Sequence, residues 1–304
     1  MAKCLVVGGN GFLGSHLVDA LAADGHELTV FDHFATDPQF SADARAVHGN
    51  FTNDDALADV VPGHEYVYHF LSMSTPASAD LHPADDVLNI RQSVSLLQQC
   101  ADAGVERFYF SSTGGAIYGP TTKSTLAETD PAAPISPYGI GKLAIENYLS
   151  FFRAKHGLQS FALRISNPFG PRQHPERKQG LIPIVLRNVA QGAPVVRLGD
   201  GSMVRDYIYV EDVVQMVTQM TRTVPTESIY NLGSGSGLSV NEVFDAITEV
   251  TGRELQIVDQ PQPASYVDRI VLDIDRYSAE FGAPELTDLH SGIAKTWQEI
   301  EAHG

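Results

Sequence analysis

Along the first half of the chain, short runs of β-branched and aromatic residues alternate with longer stretches whose apolar positions recur every three or four residues. Residues 4 to 7 (CLVV), 28 to 32 (LTVFD), 66 to 70 (YVYHF), 107 to 112 (RFYFSS) and 160 to 165 (SFALRI) read as strands. Several are apolar on both faces, as parallel strands covered by helices above and below are. The helical period occupies segments near 14 to 24, 54 to 60, 84 to 103 and 137 to 156. This βαβ repetition predicts an α/β fold on a doubly wound parallel sheet with right-handed crossovers.

The texture changes after residue 168. The stretch NPFGPRQHPERKQG mixes proline, glycine and charge, as a connection between lobes or a binding loop does. The expected organisation is a dinucleotide-binding domain over 1–168 and a smaller α/β lobe built mainly from 169–304. Two strand-like segments, DYIYV (206 to 210) and IYNLG (229 to 233), are expected to return to the main sheet, so that 206–233 belongs to the first domain. A length of 304 residues and a hydrophobic content of 43% are enough for a large core with an appended lobe.

Composition narrows the function classes. With 20 Lys+Arg against 37 Asp+Glu the formal net charge is −17, and no Lys/Arg-rich run forms a local basic patch. Such a surface repels phosphate backbones, so nucleic acid is not an expected partner. The two cysteines, Cys4 and Cys100, imply neither a disulfide framework nor a metal cluster. No stretch approaches the ~20 apolar residues of a membrane helix. The expected location is the cytoplasm, with no membrane partner.

The first strand runs into Gly8-Gly9-Asn10-Gly11-Phe12-Leu13-Gly14 and then a helical segment. Glycines at Gly8, Gly11 and Gly14 allow a tight turn, close approach of backbone to a pyrophosphate, and packing of helix on strand. Asp32 closes the second strand 18 residues beyond Gly14, where a carboxylate accepts hydrogen bonds from an adenosine ribose. The same carboxylate repels a 2′-phosphate, which favours NAD over NADP. Further on, Ser136-Pro137 starts a helix that carries Tyr138 and Lys142 one turn apart on one face. Gly139 and Gly141 in its first turns each cost ~1 kcal/mol relative to alanine, which suggests close approach of another body such as a cofactor or sugar ring.

Taken together, GGNGFLG, Asp32, YGIGK, RISNPFGPRQ and GDGSMVRDYIYVEDV resemble the extended short-chain dehydrogenase/reductase family, in its NAD-dependent sugar-nucleotide epimerase/dehydratase group. The resemblance implies a catalytic base at Tyr138 and a lysine at Lys142 that binds the nicotinamide ribose and lowers the tyrosine pKa. It assigns to Thr113 the bridge between sugar hydroxyl and tyrosine, with Ser112 as the alternative. It places Phe12, Leu13, Asp32, Asn50, Phe51, Asn89 and Ser111 in the cofactor cradle, Asn50 keeping an adenine contact through its amide oxygen. Asn167, Leu181, Leu198 and Arg205 match substrate contacts, with Arg205 facing the diphosphate of a nucleotide sugar. It also implies a homodimer through the helices at 84 to 103 and 137 to 156, supported by the apolar series Ile90, Val94, Leu97 and Ile145, Leu149, Phe152, residues equally suited to packing on the sheet.

After Thr113 stand Gly114 and Gly115, where dehydratases of the group carry an Asp-Glu pair and decarboxylases a Glu. The resemblance then implies 4-epimerisation: transient oxidation at C4, a 4-keto sugar that turns over in the pocket, and return of the hydride to its other face. UDP-glucose/UDP-galactose is the leading substrate pair. The glucuronate and N-acetylhexosamine forms, a 4-keto sugar reductase, and a non-enzymatic NAD sensor are the alternatives. Two departures bear on substrate: the family's Arg-Pro-Gly-Asp has become Pro263-Ala264-Ser265-Tyr266, so that either Arg269, Arg205 or Arg172 replaces its arginine or nucleotide binding differs, and the pocket-gate position falls near Ile270.

Overall fold

A computed structural model describes residues 1–173, 180–262 and 267–303. β1 (Lys3–Val7) leads through the glycine loop into α1 (Phe12–Ala23), followed by β2 (Glu27–Asp32), β3 (Arg45–His48), α2 (Asp54–Val60) and β4 (Tyr66–His69). Next come α3 (Pro76–Leu81), α4 (Pro83–Asp102), β5 (Arg107–Thr113), the short α5 (Gly114–Ile117), α6 (Pro137–His156) and β6 (Gln159–Ile165). β7 (Asn167–Phe169), α7 (Leu181–Ala190), β8 (Val195–Leu198), β9 (Val204–Arg205), β10 (Tyr207–Tyr209), α8 (Val210–Arg222) and β11 (Ile229–Leu232) follow. The remaining elements are β12 (Leu238–Ser239), α9 (Val240–Thr251), β13 (Ile257–Gln260), β14 (Arg269–Ile270), α10 (Asp275–Phe281) and α11 (Leu289–His303).

Seven parallel strands form the central sheet in the order β11-β6-β5-β4-β1-β2-β3. Their side chains alternate between two cores. Cys4, Val6 and Tyr109 join Leu17, Val213 and Met216 beneath α1 and α8, while Leu5, Val7, Phe108 and Phe110 join Leu57, Leu96 and Leu149 beneath α2, α4 and α6. Because all strands run one way, their carboxyl ends share one edge. The strand order reverses between β1 and β4, which opens the crevice where doubly wound sheets bind ligands.

β3 had no signature as a strand. It is an edge strand, exposed at three of its four positions, so it carries no apolar run to read. Of the two segments expected to return to the sheet, only IYNLG does, as β11 beside β6. DYIYV supplies β10, which pairs with β7 in a separate two-stranded sheet. The handover is visible in consecutive residues: Ser166 N donates to Leu232 O, whereas Asn167 N donates to Asp206 O.

A third core gathers Phe169, Ile182, Leu186, Val243, Phe244, Ile293 and Trp297 among α7, α9 and α11. The Ser239 and Glu242 side chains form a capping box that starts α9. The apolar series expected at a dimer interface instead packs toward the sheet: Leu97, Ile145, Leu149 and Phe152 are buried, and Ile90 and Val94 lie against the same core. The outward faces of α4 and α6 expose Val87, Leu88, Ile140, Tyr148 and Phe151. Among the described residues no helix is long and apolar enough to cross a membrane.

Candidate active site

Gly8 ends β1 with φ +87°, and a Cβ there would come within 2.6 Å of the Leu71 backbone nitrogen across the crevice. A Cβ on Gly14 would collide with the Gly8 carbonyl, so α1 starts directly on the turn. Gly11 caps α1 without a side-chain hydrogen bond, leaving the amides of Phe12, Leu13 and Gly14 at the positive end of the helix. Asp32 Oδ2 accepts from Asn10 N at 2.9 Å and Oδ1 from His33 N at 2.7 Å, which orients the carboxylate at the crevice mouth. Asn10 also ties in the loop after β2, donating to Thr36 O and accepting from Gln39 N. A bare amide cradle with a fixed carboxylate fits a dinucleotide. Asn50 Oδ1 accepts from Thr52 N and Oγ1, each at 2.9 Å. Phe51 is buried with its ring 5.2 Å from that of His69.

Ser136 starts α6 by accepting from Gly139 N at 3.2 Å, with Pro137 in the first turn. Lys142, 3% exposed, donates from Nζ to the Ser111 carbonyl at 2.8 Å and lies over the rings of Phe110 and Tyr138. Burial lowers the lysine pKa to about 8, against the opposing charges of Asp86 and Glu146. Tyr138 is held above its ordinary value, first by burial and then by the Asp86 carboxylate. The Lys142 ammonium faces the Tyr138 ring and bonds the Ser111 carbonyl, and among the described residues no hydrogen bond joins it to the phenol oxygen.

Ser112 and Thr113 stand on opposite faces of β5. Ser112 Oγ donates to Glu146 Oε1 at 2.5 Å, on the α6 side of β5. Glu146 is in turn bound by Arg164 through Nε at 3.1 Å and a terminal nitrogen at 2.7 Å, with both side chains 4% exposed. Removing one partner of such a pair costs on the order of 3–5 kcal/mol, because the other charge stays buried. Successive strand residues point to opposite faces, so Thr113 projects away from Glu146 and remains the candidate for substrate. Beyond it, a Cβ on Gly114 would meet Leu272 Cδ1 at 2.5 Å, whereas one on Gly115 would have room, 3.5 Å from Asn167 Oδ1. Asn167 therefore borders the same loop, with its Nδ2 donating to Asp206 O at 3.0 Å.

The bodies that approach the glycines of α6 are parts of the protein itself, contrary to the sequence expectation. A Cβ on Gly139 would meet the Ala116 carbonyl at 2.5 Å, and one on Gly141 would overlap Asp86 Oδ2. Asp86 accepts from Ser74 Oγ at 2.5 Å, and Asn89 Nδ2 donates to Ser72 Oγ and Ser74 Oγ. Sequence reasoning missed Asp86, Glu146 and Arg164. A signal existed for two of them: Glu146 stands one helical turn beyond Lys142, and Asp86 one turn before Asn89.

Leu181 and Leu198 border the third core, as do Phe12 and Leu13. Arg205 donates to the carbonyls of Val204 and Val267 at 2.8 and 2.6 Å. Arg172 pairs with Asp19 at 2.8 Å, on α1, and Arg269 donates to Ser124 O at 3.0 Å. Ile270 is 1% exposed and packs among Ile117, Tyr118, Leu126 and Leu272. Pro263-Ala264-Ser265-Tyr266 lies outside the described residues.

The fold and most of the sequence have close counterparts. A UDP-glucose 4-epimerase of Thermotoga maritima, crystallised with UDP-glucose, superposes with a TM-score of 0.93 at 34% identity and covers 99% of each chain. A UDP-N-acetylglucosamine 4-epimerase of Methanobrevibacter ruminantium superposes at 0.90 with 25% identity, covering 100% of this chain and 99% of its own. In sequence, a UDP-glucose 4-epimerase of Mycolicibacterium smegmatis is 31% identical over 308 residues, 97% of each chain. With these likenesses along its length and a family match over residues 4–233, the chain belongs to the NAD dependent epimerase/dehydratase family.

Proposed function

We propose that the protein inverts C4 of a UDP-hexose of the UDP-glucose/UDP-galactose type. The loop after β5 carries this reading: it presents Thr113 and then two glycines, and the first turn of α5 holds no acid. The carboxylates that act on Tyr138 and Lys142 are engaged elsewhere, Asp86 with Ser74 and Glu146 with Ser112 and Arg164. Eliminating water from a sugar ring needs a positioned acid and base; a phenol, a hydroxyl and an ammonium are suited to oxidation and reduction at one carbon. The names of the relatives support the same class of substrate.

Bound NAD supplies a reversible two-electron acceptor. In this reading Asp32 and the amides after Gly11 hold its adenosine and pyrophosphate, and Lys142 holds the nicotinamide ribose. Thr113 orients the C4 hydroxyl, and Tyr138 takes its proton and later returns one. Asn167, Leu181, Leu198 and Arg205 border the nucleotide sugar. Residues 1–168 with β11 bind the cofactor and 169–304 mainly the substrate, in a cytosolic homodimer. Incubating the purified protein with UDP-, dTDP- and GDP-sugars and resolving the products tests the proposal. Equilibration of a UDP-sugar with its C4 epimer, without consumption of NADH, is the expected result; stoichiometric NADH consumption with a keto sugar would overturn it.

A further inference from the structure

Ser112 and Arg164 are partners in register across β5 and β6, and Glu146 of α6 reaches both. Its Oε1 accepts from Ser112 Oγ at 2.5 Å and from Arg164 Nε at 3.1 Å, and its Oε2 from a terminal Arg164 nitrogen at 2.7 Å. The other terminal nitrogen, Nη1, is buried without a hydrogen-bond partner, and the guanidinium lies 5.0 Å from the centre of the Tyr118 ring. Arg164 is thus committed to one carboxylate. A well-packed apolar pair of similar volume would hold two strands and a helix as firmly, because desolvating both charges offsets most of their attraction. Packing alone leaves the ion pair unexplained. Its position supplies a reason: Glu146 stands one turn beyond Lys142 on α6, and the residue before Ser112 is Ser111, whose carbonyl takes the Lys142 ammonium at 2.8 Å.

We infer that Arg164 is a positioning residue for the reaction: by holding Glu146 it leaves the Lys142 ammonium on the Ser111 carbonyl, beside Tyr138, instead of on the carboxylate one turn away. This inference rests on the assignment of Lys142 to catalysis. The other charged or titratable groups around Lys142 and Arg164 are few, and each has its own partner or stays neutral. Asp86 on α4 accepts from Ser74 Oγ at 2.5 Å. His69 on β4 is bonded through Nε2 to Ser93 at 2.8 Å and is neutral, its pKa lowered to about 3 by burial first and by Lys142 second. The Tyr118 phenol donates to Asn231 Oδ1 at 2.6 Å, and Tyr138 shares α6 with Lys142. Removing the Arg164 charge therefore frees a buried anion beside Lys142, and removing the Glu146 charge frees a buried cation there. The first draws the ammonium from Ser111 and the second repels it. Removing both does neither.

The test compares Arg164→Met, Glu146→Gln and the double variant with wild type by two readouts. One is the NMR titration of Lys142 in protein labelled with carbon-13 at lysine Cε, the signal being assigned by its loss in Lys142→Met. From about 8 in the wild type, the midpoint is expected to rise by about one pH unit in Arg164→Met, to fall by about one in Glu146→Gln, and to return close to the wild-type value in the double variant. The other is turnover: each single variant should lose about 10- to 100-fold in kcat with KM within about threefold of wild type, and the double variant should recover about tenfold over the poorer single one. Opposite shifts that cancel are the mark of charge. A brace that only holds α6 in place predicts a double variant at least as impaired as either single one, with the Lys142 midpoint moving alike in all three or in none, and that result overturns the inference. If one single variant does not fold, the other and the double variant still decide. The titration requires no turnover, so it judges the role of Arg164 even if the C4 epimerase reading fails.

Discussion

Lys142 Nζ donates to the Ser111 carbonyl at 2.8 Å, so the last turns of β5 and the first turns of α6 are joined by a buried ammonium. Its pKa of about 8 places its titration within reach of ordinary assays. Below that pH the lysine is charged and above it neutral, so turnover that requires the ammonium falls as pH rises through about 8. Lys142→Met, uncharged at every pH, is expected to lose this alkaline limb along with ~10²–10⁴-fold in kcat. A wild-type profile flat to pH 10 would contradict the assignment.

Tyr138→Phe leaves the ring that packs beneath Lys142 and deletes the phenol oxygen. The expected outcome is a loss of ~10²–10⁴-fold in kcat with NAD still released on denaturation. Retention of most of the rate would remove Tyr138 from its role.

Gly114 and Gly115 separate sterically. Gly114→Ala drives a methyl into Leu272 and close to the Arg164 carbonyl, so Tm should fall by an amount equivalent to ~1–3 kcal/mol. Gly115→Ala makes only ordinary van der Waals contact, 3.5 Å from Asn167 Oδ1, and lies in a helical turn, so it should leave stability unchanged or raise it by about 0.5–1 kcal/mol. Calorimetry on both variants checks the order.

Asp32 is held by two backbone amides and faces the crevice mouth. Denatured wild-type protein should release NAD, with NADP a minor component. Asp32→Arg should weaken NAD and admit NADP, because the carboxylate that repels a 2′-phosphate is replaced by a cation that attracts it. Isothermal titration with the two nucleotides reads the switch directly.

The exposed apolar positions on α4 and α6 are Val87, Leu88, Ile140, Tyr148 and Phe151. If the homodimer forms through them, light scattering at micromolar concentration finds twice the chain mass, and Ile140→Asp with Phe151→Asp halves it while leaving the fold intact by circular dichroism. Monomeric wild type would remove the dimer.

By itself the sequence determined everything that local periodicity and backbone chemistry encode. The strands of β1, β2, β4, β5 and β6, the span of α6, the glycine turn and Asp32 are all readable because a buried strand must be apolar and a phosphate-binding turn must lack side chains. Chain neighbours carry that information. The edge strand β3 escaped because an exposed strand is under no pressure to be apolar.

Tertiary structure alone decided which atoms meet. That Gly141 makes room for Asp86, 55 residues earlier in the chain, cannot be seen from the helix that contains it. Ser112 and Thr113 are equal as hydroxyls, and only the packing of α6 against one face of β5 assigns Ser112 to Glu146. The same packing turned Lys142 toward Ser111 and left Tyr138 a reluctant acid, since burial and a remote carboxylate act through space. β10 pairs with β7 outside the main sheet because the partner strand changes between Ser166 and Asn167, a change of hydrogen-bond partner that no pattern of apolar residues records.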